Sequence, residues 1–221
     1  MQKQEPTVIE EVQSPTEAFF LKNKKKIIIA IGALCVIIAG YFCYRHFIAL
    51  PKEKQASEAL FKGEHYFNNS QYELALQGDS TGYLGFVKIA SEFSGTKAGN
   101  LANAYAGICN AQLGNYEEAK KYLEKFEGKD DLISPALLAT LGNVYAQFGD
   151  YDNAIKKLTD AAKKADSYAL SPIYLIQAGE LYEKQGKNAE AVELYNIVKE
   201  KYGNTYAGME IDKYIERASI K

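Results

Sequence analysis

The chain has 221 residues, of which 47% are hydrophobic and 24% are charged, and its formal net charge at pH 7 is −2. No basic stripe accompanies this near-neutral balance, so nucleic acid is not an expected partner. The two histidines, His46 and His65, stand in no metal-ligand spacing, and no nucleophile motif or phosphate-binding loop is present. We therefore predict a non-enzymatic protein with no catalytic site, no metal, no cofactor and no small-molecule substrate.

Residues 1–26 predict a cytoplasmic tail. The sequence SPTE at 14–17 has the form of a helix cap, and the apolar residues after it predict a short amphipathic helix that runs into the lysines at 22 and 24–26. This pattern fits a helix on the membrane surface and a helix that contacts a cytoplasmic partner equally well.

A stretch without charge follows at residues 27–44. A bilayer core takes about 20 helical residues, so this stretch and the apolar residues up to 50 predict a transmembrane anchor at 27–50. Lysines crowd before this uncharged stretch, whereas Arg45 alone follows it directly, which predicts a single span with a cytoplasmic N-terminus. The anchor residues that we expect to contact the lipid bilayer are Ile27, Ile31, Leu34, Ile38, Tyr41 and Tyr44.

The three cysteines support no disulfide outside the membrane. Cys35 and Cys43 lie within the predicted anchor, and Cys109 lies on the apolar side of a predicted helix. Free cysteine behaves as a small hydrophobic residue, so we expect Cys109 in the core.

Residues 51–221 predict a series of helical hairpins. The stretch LGNVYAQFGDYDNAIKKLTDA at 141–161 indicates two helices around Gly149-Asp150, with Gly142 and Ala154 permitting a close approach. Equivalent turn glycines at 114 and 186 lie 35 and 37 residues away. This order and spacing resemble the tetratricopeptide repeat, whose period is about 34 residues.

The repeats are predicted at about 53–95, 98–127, 135–165 and 172–202, followed by a capping helix at 205–220 that covers the end of the stack. Ser134-Pro135 and Ser171-Pro172 predict hydroxyl-capped helix starts. In the first repeat, Ser70 replaces the turn glycine, and residues 77–85 interrupt the second helix, either as a surface insertion or as a partner-contact loop. The expected fold class is all-α, with one transmembrane helix, a tetratricopeptide α-solenoid of about four hairpins, and a C-terminal capping helix.

In such an array the first helix of each hairpin lines an inner groove, which is the predicted site for a protein partner. Its small and aliphatic residues favour an apolar helix or an unfolded segment, although packing of the helix at 53–68 onto the same surface remains an equal alternative. The Lys and Arg set needed to hold a terminal carboxylate is missing. The main predicted groove residues are Leu101, Ala104, Ile108, Gln112, Ala139, Asn143, Gln147, Ile173, Ile176 and Glu180, with Ala111, Ala136, Ala146, Glu183 and Lys184 beside them.

An N-terminal anchor followed directly by a few degenerate repeats resembles the YfgM-like proteins, and residues 75–123 resemble the form of this family found in Bacteroidota. The resemblance implies a single-pass protein of the bacterial inner membrane with a periplasmic repeat domain. It also implies an ancillary subunit of the Sec translocon that binds a membrane-anchored periplasmic prolyl isomerase or chaperone and assists secreted clients. The alternative is a general scaffold for outer-membrane biogenesis, division or another envelope complex.

Overall fold

The computed structural model describes residues 15–128 and 130–220, and this part of the chain contains helices and no strand. It separates into two compact units, one ending at Pro51 and one beginning at Lys52. The all-α fold class predicted from the sequence is confirmed.

The first unit contains helix α1 (Pro15–Tyr44), followed by a π-helical turn at Arg45–Ala49. The short helix that was expected to run into the lysines is the beginning of a longer one, because α1 continues through the lysines into the apolar segment; lysine is a good helix former and does not end a helix. The expected cap at Ser14 and the rest of residues 1–14 lie outside the described residues.

The apolar segment has the exposure that a membrane anchor requires. It belongs to a continuous helical stretch, Lys22–Asn68, which is the one helix in the described residues long and apolar enough to cross a membrane. Of the predicted anchor residues, Ile31, Leu34, Ile38, Tyr41 and Tyr44 are exposed, and Ile27 is half-buried. An apolar surface of this extent is stable when lipid covers it.

The second unit is built from helical hairpins and a C-terminal pair of helices. Its elements are α2 (Leu50–Asn68), α3 (Tyr72–Gln77), α4 (Phe86–Glu92), α5 (Lys97–Gln112), α6 (Tyr116–Lys125), α7 (Ile133–Gln147), α8 (Tyr151–Ala165), α9 (Ser171–Lys184), α10 (Asn188–Tyr202), α11 (Tyr206–Met209) and α12 (Asp212–Ile220). Helices α2, α3 and α4 form the first hairpin. The second, third and fourth hairpins are the regular pairs α5–α6, α7–α8 and α9–α10, and each hairpin packs on the next.

Glycines in the first helices set how closely the paired helices approach. A Cβ at Gly142 of α7 would lie 3.0 Å from Leu158 of α8, and a Cβ at Gly179 of α9 would lie 2.3 Å from the ring of Tyr195 of α10. Gly107 of α5 is equally enclosed. The sequence pattern of small residues thus acts through close helix packing.

The turns use the left-handed backbone conformation that favours glycine. Gly114, Gly149 and Gly186 have φ values of 78°, 74° and 72°. Ser70, at the equivalent place in the first hairpin, adopts the same region with φ 58°. The first hairpin therefore keeps the turn geometry despite lacking the residue that adopts it most easily.

The starts of α7 and α9 differ from the prediction. Asp130 Oδ1 accepts hydrogen bonds from the backbone N–H groups of residues 132–134, and Ser134 donates its hydroxyl to Asp130 Oδ2. Ser171 donates to the carbonyl of Ala162 at the end of α8. Both predicted serine caps are wrong, because each hydroxyl lies inside the helix start and binds an acceptor elsewhere.

Three hydrophobic clusters run through the hairpins, in α2–α5, in α5–α7 and in α7–α12. Cys109 is fully buried in the first cluster, and this burial raises the pKa of its thiol to about 12.

The single predicted capping helix is two helices, α11 and α12. Ile211 and Ala218 enter the core, with 1% and 2% of their surface exposed. Tyr206 and Met209, two large apolar residues of the predicted capping segment, are 80% and 73% exposed. A helix of four residues, such as α11, cannot turn a complete apolar face inward.

Candidate partner-binding surface

An open cleft of about 590 Å³ lies between the first helices α7 and α9, and α12 forms one of its walls. Most of its lining side chains are polar or charged. The lining residues are Asn143, Ala146, Gln147, Gln177, Glu180, Leu181, Glu183, Lys184 and Arg217.

The structure brings together part of the predicted groove. Asn143, Gln147 and Glu180 line the cleft together with Ala146, Glu183 and Lys184, which the sequence placed beside them. The cleft contains more polar residue types than the sequence led us to expect, although the apolar atoms of its lining residues still form more than half of its surface.

Other predicted groove residues lie in the core. Ala104, Ala139 and Ile176 belong to the hydrophobic clusters and are 2%, 4% and 9% exposed. They pack where neighbouring helices meet, so they are core residues and a partner cannot reach them in this structure. Leu101 and Ile108 are half-buried against the same clusters.

The remaining predicted residues are accessible but do not line the cleft. Gln112 at the end of α5 is exposed, and Ile173 near the start of α9 is 44% exposed. The structure thus divides the predicted groove into an open polar part at α7 and α9 and a part at α5 that is largely packed.

A charged network joins α12 to α9 in this cleft. Arg217 Nη2 and Nε donate to the two carboxylate oxygens of Glu183 at 2.6 and 3.1 Å, and Tyr195 donates its hydroxyl to Glu183 Oε1 at 2.7 Å. The Glu183 side chain is only 7% exposed. The hydrogen bonds to Glu183 raise the pKa of Arg217, and burial, followed by the bond to Glu183, raises the pKa of Tyr195.

Two acceptors beside this network have capacity left for a ligand. Glu180 lies 3.8 Å from Arg217 Nη2, too far for a hydrogen bond, and its side chain is 45% exposed. The Oε1 atom of Gln177 is buried without a hydrogen-bond partner. A buried acceptor without a donor carries a free-energy cost that a donor from a ligand removes.

The insertion in the first hairpin forms an ordered loop beside a second concave surface. Asp79 Oδ1 accepts from the backbone N–H and hydroxyl of Thr81 and from the N–H of Tyr83, and Tyr66 donates its hydroxyl to Asp79 Oδ2. These bonds, with that of Tyr66 the strongest, hold the pKa of Asp79 well below its usual value. A cavity of about 400 Å³ adjoins the loop and is bordered by Phe61, which is 75% exposed.

Helix α2 contacts α5 and contributes no lining residue to the α7–α9 cleft. The Glu53 carboxylate accepts from the N–H groups of Lys97 and Ala98 at the start of α5, and Tyr105 donates to Glu64. The sequence left open whether the inner groove is free for a partner or covered by the helix at 53–68. In the structure α2 lies against α5, and the part of the groove at α7 and α9 remains open.

Within the described residues, no three His, Cys, Asp or Glu side chains are grouped so that they could hold a metal ion. His65 is an exposed residue of α2 and shares a contact with Asn69. The chemistry that the described clefts offer is therefore hydrogen bonding and charge pairing.

Sequence reasoning missed three cleft residues, Gln177, Leu181 and Arg217. Arg217 carried one signal, since it and Arg45 are the only arginines among 26 basic residues. Arginine is the residue suited to two-pronged contact with a carboxylate, so a rare arginine in a lysine-rich chain marks a geometric requirement.

Stacked helix pairs with an open cleft on their first helices define a helical-repeat protein of the class that binds other proteins. The chain belongs to the tetratricopeptide repeat-like domain family, because the profile of that domain matches residues 17–211, most of its length. The matched residues include α1 as well as the hairpins. Domains of this family are typically non-catalytic scaffolds. No characterised protein sequence matches the chain.

Proposed function

We propose that the chain is a membrane-anchored scaffold that binds other proteins through the cleft between α7 and α9. The cleft itself carries the proposal, because it is open, it lies on the first helices of a repeat family that mediates protein interactions, and its polar groups are accessible. Binding without chemical turnover is the activity that this surface supports.

The finer proposal is an adaptor of the Sec machinery in the bacterial inner membrane, with a cytoplasmic N-terminus and periplasmic hairpins. It would hold a prolyl isomerase, a chaperone or an emerging client beside the translocon. Support comes from the resemblance to YfgM-like proteins, from a family match that spans anchor and hairpins together, and from the exposed lysines at 22 and 24–26 before the apolar segment.

The test is affinity purification of the tagged full-length chain from native membranes in mild detergent, with mass spectrometry of the retained proteins. We expect the Sec channel and a periplasmic isomerase to be retained. Replacing the anchor by an unrelated membrane span should lose the channel, because a translocon subunit is expected to use both its span and its exterior domain.

A matched pair of variants tests the role of the cleft. Gln147→Arg places a bulky charge in the cleft, whereas Gln112→Arg makes the same change at an exposed position at the end of α5. We expect only Gln147→Arg to lose the periplasmic isomerase. Recovery of outer-membrane assembly or division proteins without the channel would contradict the Sec role and leave an envelope scaffold. Equal retention by both variants would contradict the assigned surface.

A further inference from the structure

We propose that the cleft between α7 and α9 is a docking site for a basic side chain of a protein partner, which Glu180 and Gln177 would hold. Arg217 is the resident competitor of that side chain. This inference rests on the proposed scaffold function and specifies the chemistry of the partner.

The first argument is the pair of acceptors with free capacity. Glu180 offers a half-exposed carboxylate that lies beyond hydrogen-bond distance of Arg217, and Gln177 offers a buried Oε1 that lacks a donor. They lie three residues apart on α9, so they face the same side of the helix. A guanidinium or ammonium group supplies several donors and a positive charge, which suit the half-exposed carboxylate of Glu180 and, once the Gln177 amide turns toward the cleft, its Oε1 atom.

The second argument is that this place already accommodates a guanidinium group. Arg217 makes a two-pronged contact with Glu183, and a hydroxyl from Tyr195 supports the same carboxylate. The geometry for a planar cation is therefore built into α9, and it is occupied from within the chain. The Arg217 side chain remains 44% exposed, so it can rotate away while α12 stays packed through Ala218.

The charges around the site give its selectivity. The ionisable lining groups are Glu180, Glu183, Lys184 and Arg217. Arg217 is hydrogen-bonded to Glu183 and forms only a longer ion pair with Glu180, at 3.8 Å, while Lys184 is an exposed cation at the rim. An anionic ligand would find only the solvated Lys184 at the rim, because a nearly buried carboxylate already holds Arg217, whereas a cation meets the half-exposed carboxylate of Glu180.

The experiment measures binding of a short capped alanine–serine peptide with one central arginine to the full-length chain in nanodiscs. A peptide with citrulline in place of arginine is the matched probe, because citrulline keeps the shape and loses the charge. We expect the arginine peptide to bind more tightly than the citrulline peptide. Glu180→Gln should weaken arginine-peptide binding about tenfold, as expected for loss of a charged hydrogen bond.

Arg217→Gln should strengthen arginine-peptide binding, because it removes the internal competitor. The control for Glu180→Gln is Glu193→Gln, which makes the same substitution on an exposed part of α10 and should leave binding unchanged. If Arg217→Gln unfolds α12, the wild-type comparison still decides, since the arginine peptide must alter hydrogen exchange in α12 and the citrulline peptide must not.

Equal binding of the two peptides, or an affinity unaffected by Glu180→Gln, would overturn the inference. If the peptides show no preference for arginine but the tagged chain still captures partners, the scaffold function stands and only the proposed binding of a basic side chain is rejected. If the capture experiment fails but the chain still binds the arginine peptide selectively, the proposed Sec partners are rejected and the site for a basic side chain in the cleft is retained.

Discussion

The first and fourth hairpins meet the same steric requirement in different ways. In the fourth hairpin, Gly179 of α9 faces the ring of Tyr195, which lies on α10. In the first hairpin, Gly63 of α2 faces the hydroxyl of Tyr83 and the ring of Phe86, and Tyr83 lies in the loop between α3 and α4. An aromatic side chain fills the space over a glycine in both hairpins, but a helix positions it in one and a loop in the other.

This difference indicates where each hairpin draws its stability. Tyr195 lies on a helix, is fully buried, and donates its hydroxyl to Glu183 of the facing helix α9. Tyr83 is held by a loop whose backbone is bound to the Asp79 carboxylate, and its own hydroxyl donates to the carbonyl of Ala75. The fourth hairpin should therefore respond mainly to changes in volume, and the first hairpin mainly to changes in charge and backbone freedom.

Gly179→Ala should have the largest effect on stability. The new Cβ would lie 2.3 Å from the Tyr195 ring, so the helices must separate, at a cost of about 1–3 kcal/mol. Thermal unfolding of the full-length chain measures the loss. Gly142→Ala is the milder match, since its Cβ would lie 3.0 Å from Leu158; an equal loss in both variants would contradict the steric explanation.

Acid should weaken the first hairpin through Asp79. The pKa of this carboxyl is lower in the folded chain than its ordinary value of 3.8. A group of this kind stabilises the fold above its unfolded pKa, and the contribution disappears as the pH falls below about 4 and through the folded pKa. Asp79→Asn should therefore flatten the dependence of the melting temperature on pH in this range.

The control for that series is Asp160→Asn, which neutralises an exposed carboxylate on α8. Its melting temperature should follow the wild-type curve below about pH 4, where carboxylates titrate. A pH dependence that Asp79→Asn leaves unchanged would show that the loop does not depend on this charge.

Ser70→Gly should have the smallest effect, and it should be stabilising. Ser70 has a φ of 58°, which costs a residue with a side chain more than it costs glycine, so we expect a gain of roughly 0.5–1 kcal/mol. Chemical denaturation provides the measurement. A loss of stability would mean that the Ser70 hydroxyl, which accepts from Tyr72 at 3.4 Å, matters more than the backbone.

The hairpins could be predicted from the sequence because their signals are local. The turn glycines at 114, 149 and 186 each lie between two helices that follow one another in the chain. The interruption of the first repeat was also visible, since α3 ends at Gln77 and α4 begins at Phe86. Backbone requirements of this kind are fixed by neighbouring residues.

The cleft could be predicted only in part, because its composition depends on how successive hairpins rotate against one another. That rotation buries Ala139 and Ile176 and leaves Asn143 and Gln147 accessible. Arg217 enters from 34 residues beyond Glu183, a separation at which no spacing rule applies. Asp130, in the loop before α7, binds the start of that helix, because a loop carboxylate competes well for free N–H groups.

Cys109 is a natural reporter of local opening in the second unit. Its thiol is fully buried among the first hairpins and has a pKa of about 12, so it cannot react with a thiol reagent until these helices open. With Cys35 and Cys43 replaced by serine, the labelling rate of the Cys109 thiol reports how often the surrounding helices open, and no probe has to be introduced. Partner binding at a distant cleft would then be visible as a change in a reaction rate near the other end of the repeats.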